Sequence, residues 1–169
     1  MRIRLATNDD CRLLPAIERS AAQAFAAIGM DDVSGEDVPP AAAWEPYCES
    51  ETLWVAVDEA NAPFGFLASG AHGKLLFIYE LAVAVEHQRQ GAGRALMAAA
   101  EAGARKLGLP RVYLTTFCDV PFNGPYYRKL GYRIVADVAL PPPLQPVMLA
   151  ERRRWSEPDR LRCAMVKEV

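Results

Sequence analysis

The tripeptide Gly91-Ala92-Gly93, placed directly before an alanine-rich segment, restricts the possible folds of this chain more than any other feature. Glycine weakens the start of a helix, yet the residues that follow, up to Leu107, have the composition of a helix. Two glycines leave backbone N–H groups uncovered, so an anionic group can approach the positive end of the helix dipole. The apolar run before the turn, residues 74–85, is typical of a strand buried on both faces. The sequence therefore predicts a strand, an anion-binding turn and a helix in succession.

The remaining segments extend this pattern to a sheet covered by helices. Residues 3–5 predict a first strand, and the apolar spacing after Asn8 predicts one helix that ends near Ile28. The acidic segment 30–40 and the proline-rich segment from Pro141 to Asp159 are predicted as loops. Further strands are predicted over residues 52–58, 64–70, 111–116, 131–137 and 160–167, and short helices over residues 41–49 and 126–130. This order predicts an α/β (α+β) fold with a mixed central sheet of about six to seven strands, flanked on both faces by about four helices.

Length and composition predict the number of domains, the cellular compartment and the classes of partner of this protein. A chain of 169 residues that is 51% hydrophobic predicts one domain over residues 1–169. The formal net charge is −2 with interspersed signs, which argues against a nucleic-acid partner, and the cluster Arg152-Arg153-Arg154 is interpreted as a solvated face. Four scattered cysteines and two histidines argue against a metal site and a disulfide framework, and favour the cytoplasm. No apolar leader or long apolar run is present, so neither a secretory signal nor a membrane span is expected.

The sequence of the glycine turn does not match either of two well-known nucleotide-binding motifs. A Walker loop requires Lys followed by Ser or Thr, and none occurs here, while the last position of a Rossmann fingerprint is occupied by Leu96. The turn does match the pattern Q/R-x-x-G-x-G/A, with Gln88, Gly91 and Gly93 at the fixed positions. A pyrophosphate is the expected ligand of such a turn.

Two motifs together resemble the GNAT (GCN5-related) N-acetyltransferase family. "ELAVAVEHQRQGAGRALM" is similar to the fourth strand and third helix of that family, and "PYYRKLGYR" is similar to its FYxxLGF segment. The resemblance implies acetyl-CoA as co-substrate, with the fourth strand pairing with the pantetheine arm and the glycine turn binding the pyrophosphate. It also makes a homodimer plausible. The implied acetyl-CoA-binding residues are Leu81, Ala82, Val83, Gln88, Arg89, Gln90, Gly91, Ala92, Gly93, Arg94, Asn123 and Tyr127.

Acetyl transfer to an amine requires a base, an oxyanion donor and an acid for the thiolate. Glu80 is the carboxylate inside the predicted central strand, where burial is expected to raise its pKa. Tyr79, or a water held by it, is the alternative base. The backbone N–H of Ala82 or Val83 is expected to meet the oxyanion. Tyr127 matches the tyrosine that protonates the thiolate in the family, with Tyr126 as its competitor.

The function that follows is transfer of an acetyl group from acetyl-CoA to a small primary amine by direct attack in a ternary complex. Family members often carry active-site residues at the positions of Phe77 and Tyr79, where this chain has no carboxylate or imidazole. A catalytically inactive acyl-CoA sensor is therefore the alternative, and a nucleotide-binding structural protein is a third. The acceptor is expected to contact Phe25, Trp44 and Tyr79, near an acidic loop that can attract a cation. Asn123 either binds CoA or caps the short helix.

Overall fold

The computed structural model describes residues 1–155 and 161–169. Within these residues, seven strands form one mixed sheet in the order β1-β2-β3-β4-β5-β7-β6. The pair β4 and β5 is parallel, with Leu76 opposite Val112 and Ile78 opposite Leu114. The strands are β1 (Arg2–Leu5), β2 (Leu53–Val57), β3 (Pro63–His72), β4 (Leu75–Val83), β5 (Arg111–Phe117), β6 (Arg133–Ile134) and β7 (Arg162–Glu168). The predicted α/β fold with a mixed sheet of six to seven strands is confirmed.

Helices are more numerous than the four that the sequence predicts. The described residues form α1 (Asn8–Cys11), α2 (Leu14–Ala26), α3 (Asp31–Ser34), α4 (Glu45–Glu49), α5 (Ala92–Lys106), α6 (Gly124–Lys129) and α7 (Gln145–Arg154). Short 3₁₀ turns lie at Ala41–Ala43, Val85–His87, Asp137–Ala139 and Pro142–Leu144. None of these helices is long and apolar enough to cross a membrane.

The prediction of a single first helix from Asn8 to Ile28 was wrong. The chain forms α1 and α2 instead, with a proline in the first turn of α2. Pro15 has no N–H with which to continue a helix from α1, but it suits the first turn of a new one. The acidic segment is also more regular than predicted, because it contains α3 directly after the buried residue Met30.

The proline-rich segment was predicted as a loop, and this prediction was wrong over its described part. One 3₁₀ turn and α7 occupy residues 142–154 of this segment, and the buried side chain of Met148 anchors α7 in a hydrophobic cluster. The three arginines lie in the last turn of α7, where Arg152 Nη2 donates to Asp137 Oδ1 at 2.8 Å. The strand predicted over residues 131–137 is limited to β6. The predicted loop end at Asp159 and strand start at Arg160 lie outside the described residues.

Contacts divide the chain into two compact units. The first unit comprises Met1–Gly70 and Tyr79–Gly103, and its core joins α1 and α2 to β2 and β3 through Leu14, Val55 and Phe66. The second unit comprises Ala71–Ile78 and the described part of Ala104–Val169. Its core is formed by apolar side chains from β4, β5, β7 and α7, among them Tyr113 and Val166.

Candidate active site

Two glutamine side chains hold the turn between β4 and α5 in the first unit. Gln88 Nε2 donates to the Val83 carbonyl at 2.9 Å, and Gln90 Nε2 donates to the Glu86 carbonyl at 3.0 Å. The resemblance implied that both residues bind the cofactor. In the structure their amides brace the turn, which positions the backbone that follows.

The start of α5 is open to a ligand. Gly91 has a φ of +91° and no atom within 4 Å of the position that a Cβ would occupy, so the approach to its backbone is free. The Gly91 carbonyl accepts the first helical hydrogen bond, from the Ala95 N–H at 3.0 Å. Arg89, which adopts a positive φ, and Arg94 are both exposed beside this turn. N–H groups at the positive end of a helix, flanked by two guanidinium groups, suit a pyrophosphate.

The last residues of β4 carry the remaining predicted contacts of this unit. The Leu81 N–H donates to the Glu80 carboxylate at 3.2 Å, and the Val83 carbonyl is engaged by Gln88. Ala82 is buried in the core of the unit, whereas Glu80 is half-buried. Glu80 therefore bends towards the backbone of its own strand instead of pointing into solvent.

A second carboxyl, Glu18 on α2, lies beside Glu80 and was missed by the sequence analysis. Its Oε2 atom is buried without a hydrogen-bond partner among the described residues. Burial, and next the negative charge of Glu80, raises the pKa of Glu18 from 4.5 to about 8, while Arg19 opposes this rise. The signal was present in the sequence, because Glu18 lies one helical turn after Leu14, within the apolar stripe of α2. An acidic residue in such a stripe indicates a functional or strained position.

Aromatic side chains connect the core of the first unit to its surface. Trp44 packs edge-on against Phe66 at 5.1 Å between ring centroids and lies 6.1 Å from Tyr47. Tyr47 in turn lies 5.2 Å from Tyr79, whose side chain is 39% exposed. Trp44, predicted to contact the acceptor, is only 5% exposed, and Phe25 is half-buried on α2. Burial, followed by the nearby Tyr47, raises the pKa of the Tyr79 phenol.

Tyr127 lies on α6 in the second unit, within a group of aromatic rings. Its ring centroid is 5.2 Å from that of Tyr126 and 6.0 Å from that of Tyr132, so it is half-buried and well supported. The Tyr132 N–H donates to the Tyr127 carbonyl at 3.1 Å, and Gly131, with a φ of +92°, ends the helix. These neighbouring rings restrict the orientation of the Tyr127 side chain.

Asn123 precedes α6, and its side chain does not cap the helix. Its Nδ2 instead donates to Thr116 Oγ1 at 2.8 Å, which ties the helix start to β5. The next residue, Gly124, is packed against the backbone, because a Cβ there would lie 2.1 Å from the Cys118 carbonyl oxygen. Asn123 is therefore the N-cap residue of α6, as one of the two sequence alternatives has it, but its side chain makes no capping hydrogen bond.

Across residues 1–155 and 161–169, no three His, Cys, Asp or Glu side chains are placed to hold a metal ion.

A family model and several solved structures are similar to this chain. Residues 17–132 match the model of the acetyltransferase (GNAT) family. N-acetylglutamate synthase from Neisseria gonorrhoeae, complexed with coenzyme A and N-acetyl-glutamate, is similar with 17% identity and a TM-score of 0.69, covering 99% of this chain and 34% of that one. This chain thus spans about a third of that protein's length.

Two smaller proteins match over nearly their whole length. The PaiA N-acetyltransferase from Thermoplasma acidophilum, in complex with coenzyme A, has 14% identity and a TM-score of 0.68, covering 99% of this chain and 98% of that one. The ribosomal-protein-S18-alanine N-acetyltransferase from Escherichia coli has 15% identity and a TM-score of 0.69, covering 99% of this chain and 93% of that one. These likenesses confirm the fold that the two motifs implied.

Proposed function

The chain belongs to the GNAT acetyltransferase family, and from this premise we propose that it transfers an acetyl group from acetyl-CoA to the primary amine of a small molecule. The amine attacks the thioester directly, in a ternary complex. One observation carries the proposal: the open backbone at Gly91 at the positive end of α5, with Arg89 and Arg94 exposed beside it. The three similar structures act on different acceptors according to their names, so the acceptor has to be argued from this chain.

In the proposed complex, one group of residues binds the pyrophosphate of acetyl-CoA and another binds its pantetheine arm. N–H groups of Gly91, Ala92 and Gly93 bind the pyrophosphate with help from the two arginines, while Gln88 and Gln90 keep the turn in shape. Backbone groups of residues 81–83 bind the pantetheine arm in this proposal. Asn123, tied to β5 by Thr116, is retained as a contact to CoA.

Glu80 is the proposed base, and Tyr127 the proposed acid. The pKa of Tyr79 is raised by burial and by Tyr47, so its phenol stays protonated at neutral pH and makes a poor direct base. The N–H of Ala82 or Val83 stabilises the oxyanion, and Tyr127 protonates the departing thiolate. The partly exposed Tyr79 contacts the acceptor together with Phe25, and the buried Trp44 supports them through Tyr47. Cytoplasmic localisation, a single domain and a homodimer stay predictions.

Replacing Tyr127 with Phe tests the proposal. Acetylated products of an amine panel are followed by mass, and acetyl-CoA affinity is measured by titration. We expect kcat to fall by about 100-fold while acetyl-CoA affinity changes little, because only the proton donor is removed. Tyr126→Phe is the matched control on the same helix. Acetyl-CoA that is bound and remains intact with every amine would instead favour the acyl-CoA sensor.

A further inference from the structure

We propose that Cys118 and Cys163 are a reversible oxidation site, at which hydrogen peroxide converts two free thiols to a disulfide that bridges β5 and β7. Both cysteines are free in the structure, with Cys163 buried and Cys118 half-buried. Neither residue is part of the proposed acetyl transfer, so the disulfide does not depend on that function. Disulfides in reducing compartments are mostly transient and redox-sensing, which is the kind of bond proposed here.

The first argument is the register of the two strands that carry the cysteines. Cys163 lies opposite Thr116, and the Cys118 N–H donates to the Leu161 carbonyl at 2.8 Å, which extends the ladder past the end of β5. Since side chains alternate along a strand, Cys118 and Cys163 lie on the same face of the sheet as diagonal neighbours. The Cys163 thiol accordingly has a hydrogen bond with the Cys118 side chain. The two sulfurs are thus close to each other before any oxidation.

The second argument is the surroundings of these sulfurs. A cavity of about 550 Å³ is lined by both cysteines and by Arg152 and Arg162, among other residues. Arg152 interacts electrostatically with both thiols, and Arg162 with that of Cys163. Carboxylates pair with the two guanidinium groups and hold them in place. A positive charge near sulfur favours the thiolate, which is the form that reacts with a peroxide.

The two cysteines have different roles in the oxidation. Cys163 is 5% exposed, and burial, followed by the hydrogen bond with Cys118, raises its pKa to about 12. It therefore keeps its proton, and the half-buried Cys118 is the sulfur that attacks the peroxide.

The oxidation proceeds in two balanced steps. The Cys118 thiolate displaces hydroxide from hydrogen peroxide and becomes a sulfenic acid, and the hydroxide takes up the proton that Cys118 released. The Cys163 sulfur then attacks the sulfenic sulfur. The S–S bond forms, the S–OH bond breaks, and the Cys163 proton leaves with the hydroxyl group as water. Two thiols and one hydrogen peroxide thus give one disulfide and two water molecules.

The disulfide is also expected to disturb α6, because the backbone of Cys118 supports the start of that helix. The Cα atoms of diagonal neighbours lie about 7–8 Å apart, whereas a disulfide holds its Cα atoms at about 5.5–6 Å. Bridging therefore draws Cys118 towards β7. Gly124 packs so closely against Cys118 that a Cβ there would lie 2.1 Å from the Cys118 carbonyl oxygen. A shift of this carbonyl therefore loosens the start of α6, the helix that carries Tyr127.

Cys11 and Cys48 form a second thiol pair, which serves as a control within the same protein. Their thiols also have a hydrogen bond with each other. Cys11 is fully buried, and burial, followed by the charge of Cys48, raises its pKa to about 11. The carboxylates of Asp10 and Glu45 interact with both thiols and oppose their ionisation. We therefore expect this pair to stay reduced at peroxide concentrations that oxidise Cys118.

The test exposes the reduced protein to hydrogen peroxide, blocks the remaining thiols with iodoacetamide and maps the cysteines by mass after digestion. We expect a bridge between the Cys118 and Cys163 peptides that dithiothreitol removes, with Cys11 and Cys48 recovered as blocked thiols. Cys48→Ser, which breaks the second pair, should form the same bridge. The sulfenic acid is trapped with dimedone: Cys163→Ser should be labelled at Cys118, and Cys118→Ser should remain unlabelled at Cys163.

The effect on α6 is measured by amide hydrogen exchange. We expect exchange of its amides to be about fivefold faster in the oxidised protein than in the same protein after dithiothreitol treatment. In the proposed acetyl transfer, kcat should fall about tenfold on oxidation and recover with dithiothreitol, because Tyr127 is displaced.

No bridge between Cys118 and Cys163, or equal oxidation of both thiol pairs, would overturn the oxidation site. A bridge that changes neither the hydrogen exchange of α6 nor kcat would overturn its link to that helix. Wild-type protein that acetylates no amine would overturn the proposed function alone, because the mass and exchange measurements decide this inference without any turnover.

Discussion

Glu18 makes the folded chain less stable as the pH rises, whereas a carboxylate with a lowered pKa would make it more stable. Its pKa rises from 4.5 to about 8, first because of burial and then because of the charge of Glu80. Between these pH values the folded protein keeps a proton that the unfolded chain releases. The free energy of unfolding therefore decreases as the pH rises through this window, and the contribution of Glu18 is level below about 4.5 and above about 8.

The magnitude follows from the two pKa values. Their difference corresponds to about 5 kcal/mol if all of it reached the folding equilibrium. Glu18 is only half-buried, so solvent screens part of the interaction. We therefore expect the free energy of unfolding to change by about 2 kcal/mol across this window. Glu18→Gln retains the shape of the side chain and removes the titration. The variant should thus be the more stable protein above pH 8.

Urea unfolding of both proteins at several pH values from 4.5 to 8.5, at constant salt, measures the effect. The wild-type free energy of unfolding minus that of Glu18→Gln should fall by about 2 kcal/mol across this range, with equal urea dependence. The other titrating groups are common to both proteins, so the difference isolates Glu18 and its effect on Glu80. A difference that stays constant, or that increases with pH, would refute the reasoning. Glu59→Gln, at an exposed carboxylate of the same unit, should follow the wild type throughout.

Two glycine substitutions test the packing around the site. Gly124→Ala would bring a Cβ to 2.1 Å from the Cys118 carbonyl oxygen, and we expect the free energy of unfolding in urea to fall by about 3 kcal/mol. The control is Gly108→Ala, at a position with a φ of +69° and open space around it, where we expect a loss of about 1 kcal/mol. Equal losses would show that α6 can shift away from β5. Gly70→Ala would bring a Cβ to 3.0 Å from Tyr79 Cε2 and so turn the ring; we expect the KM of the amine to rise about tenfold in steady-state assays, with the acetyl-CoA Kd unchanged. A change in both constants, or in neither, would contradict the proposed contact between Tyr79 and the acceptor.

Much of the scaffold could be predicted because its signals are local. The apolar run that becomes β4, the glycines before α5 and the LGY sequence after Tyr127 each act within a few residues through burial, backbone freedom or helix termination. The glycine turn between β4 and α5 and the position of Tyr127 on a short helix are thus where the sequence pattern predicts them. The same reasoning overlooked the break at Pro15, where a continuous apolar stripe suggested a single helix although proline cannot continue one.

Other properties depend on residues that are distant in sequence, and the sequence pattern did not reveal them. The prolines after residue 140 suggest a loop, but packing of Met148 against strands of its unit favours a helix there. Trp44 has the appearance of a binding-site aromatic, yet its contact with Phe66 makes it part of the core. Glu18 and Glu80 are 62 positions apart in the sequence, and each alone is an ordinary carboxylate. Burial against the sheet brings them together, and this shared environment, which no local pattern encodes, gives Glu18 its raised pKa.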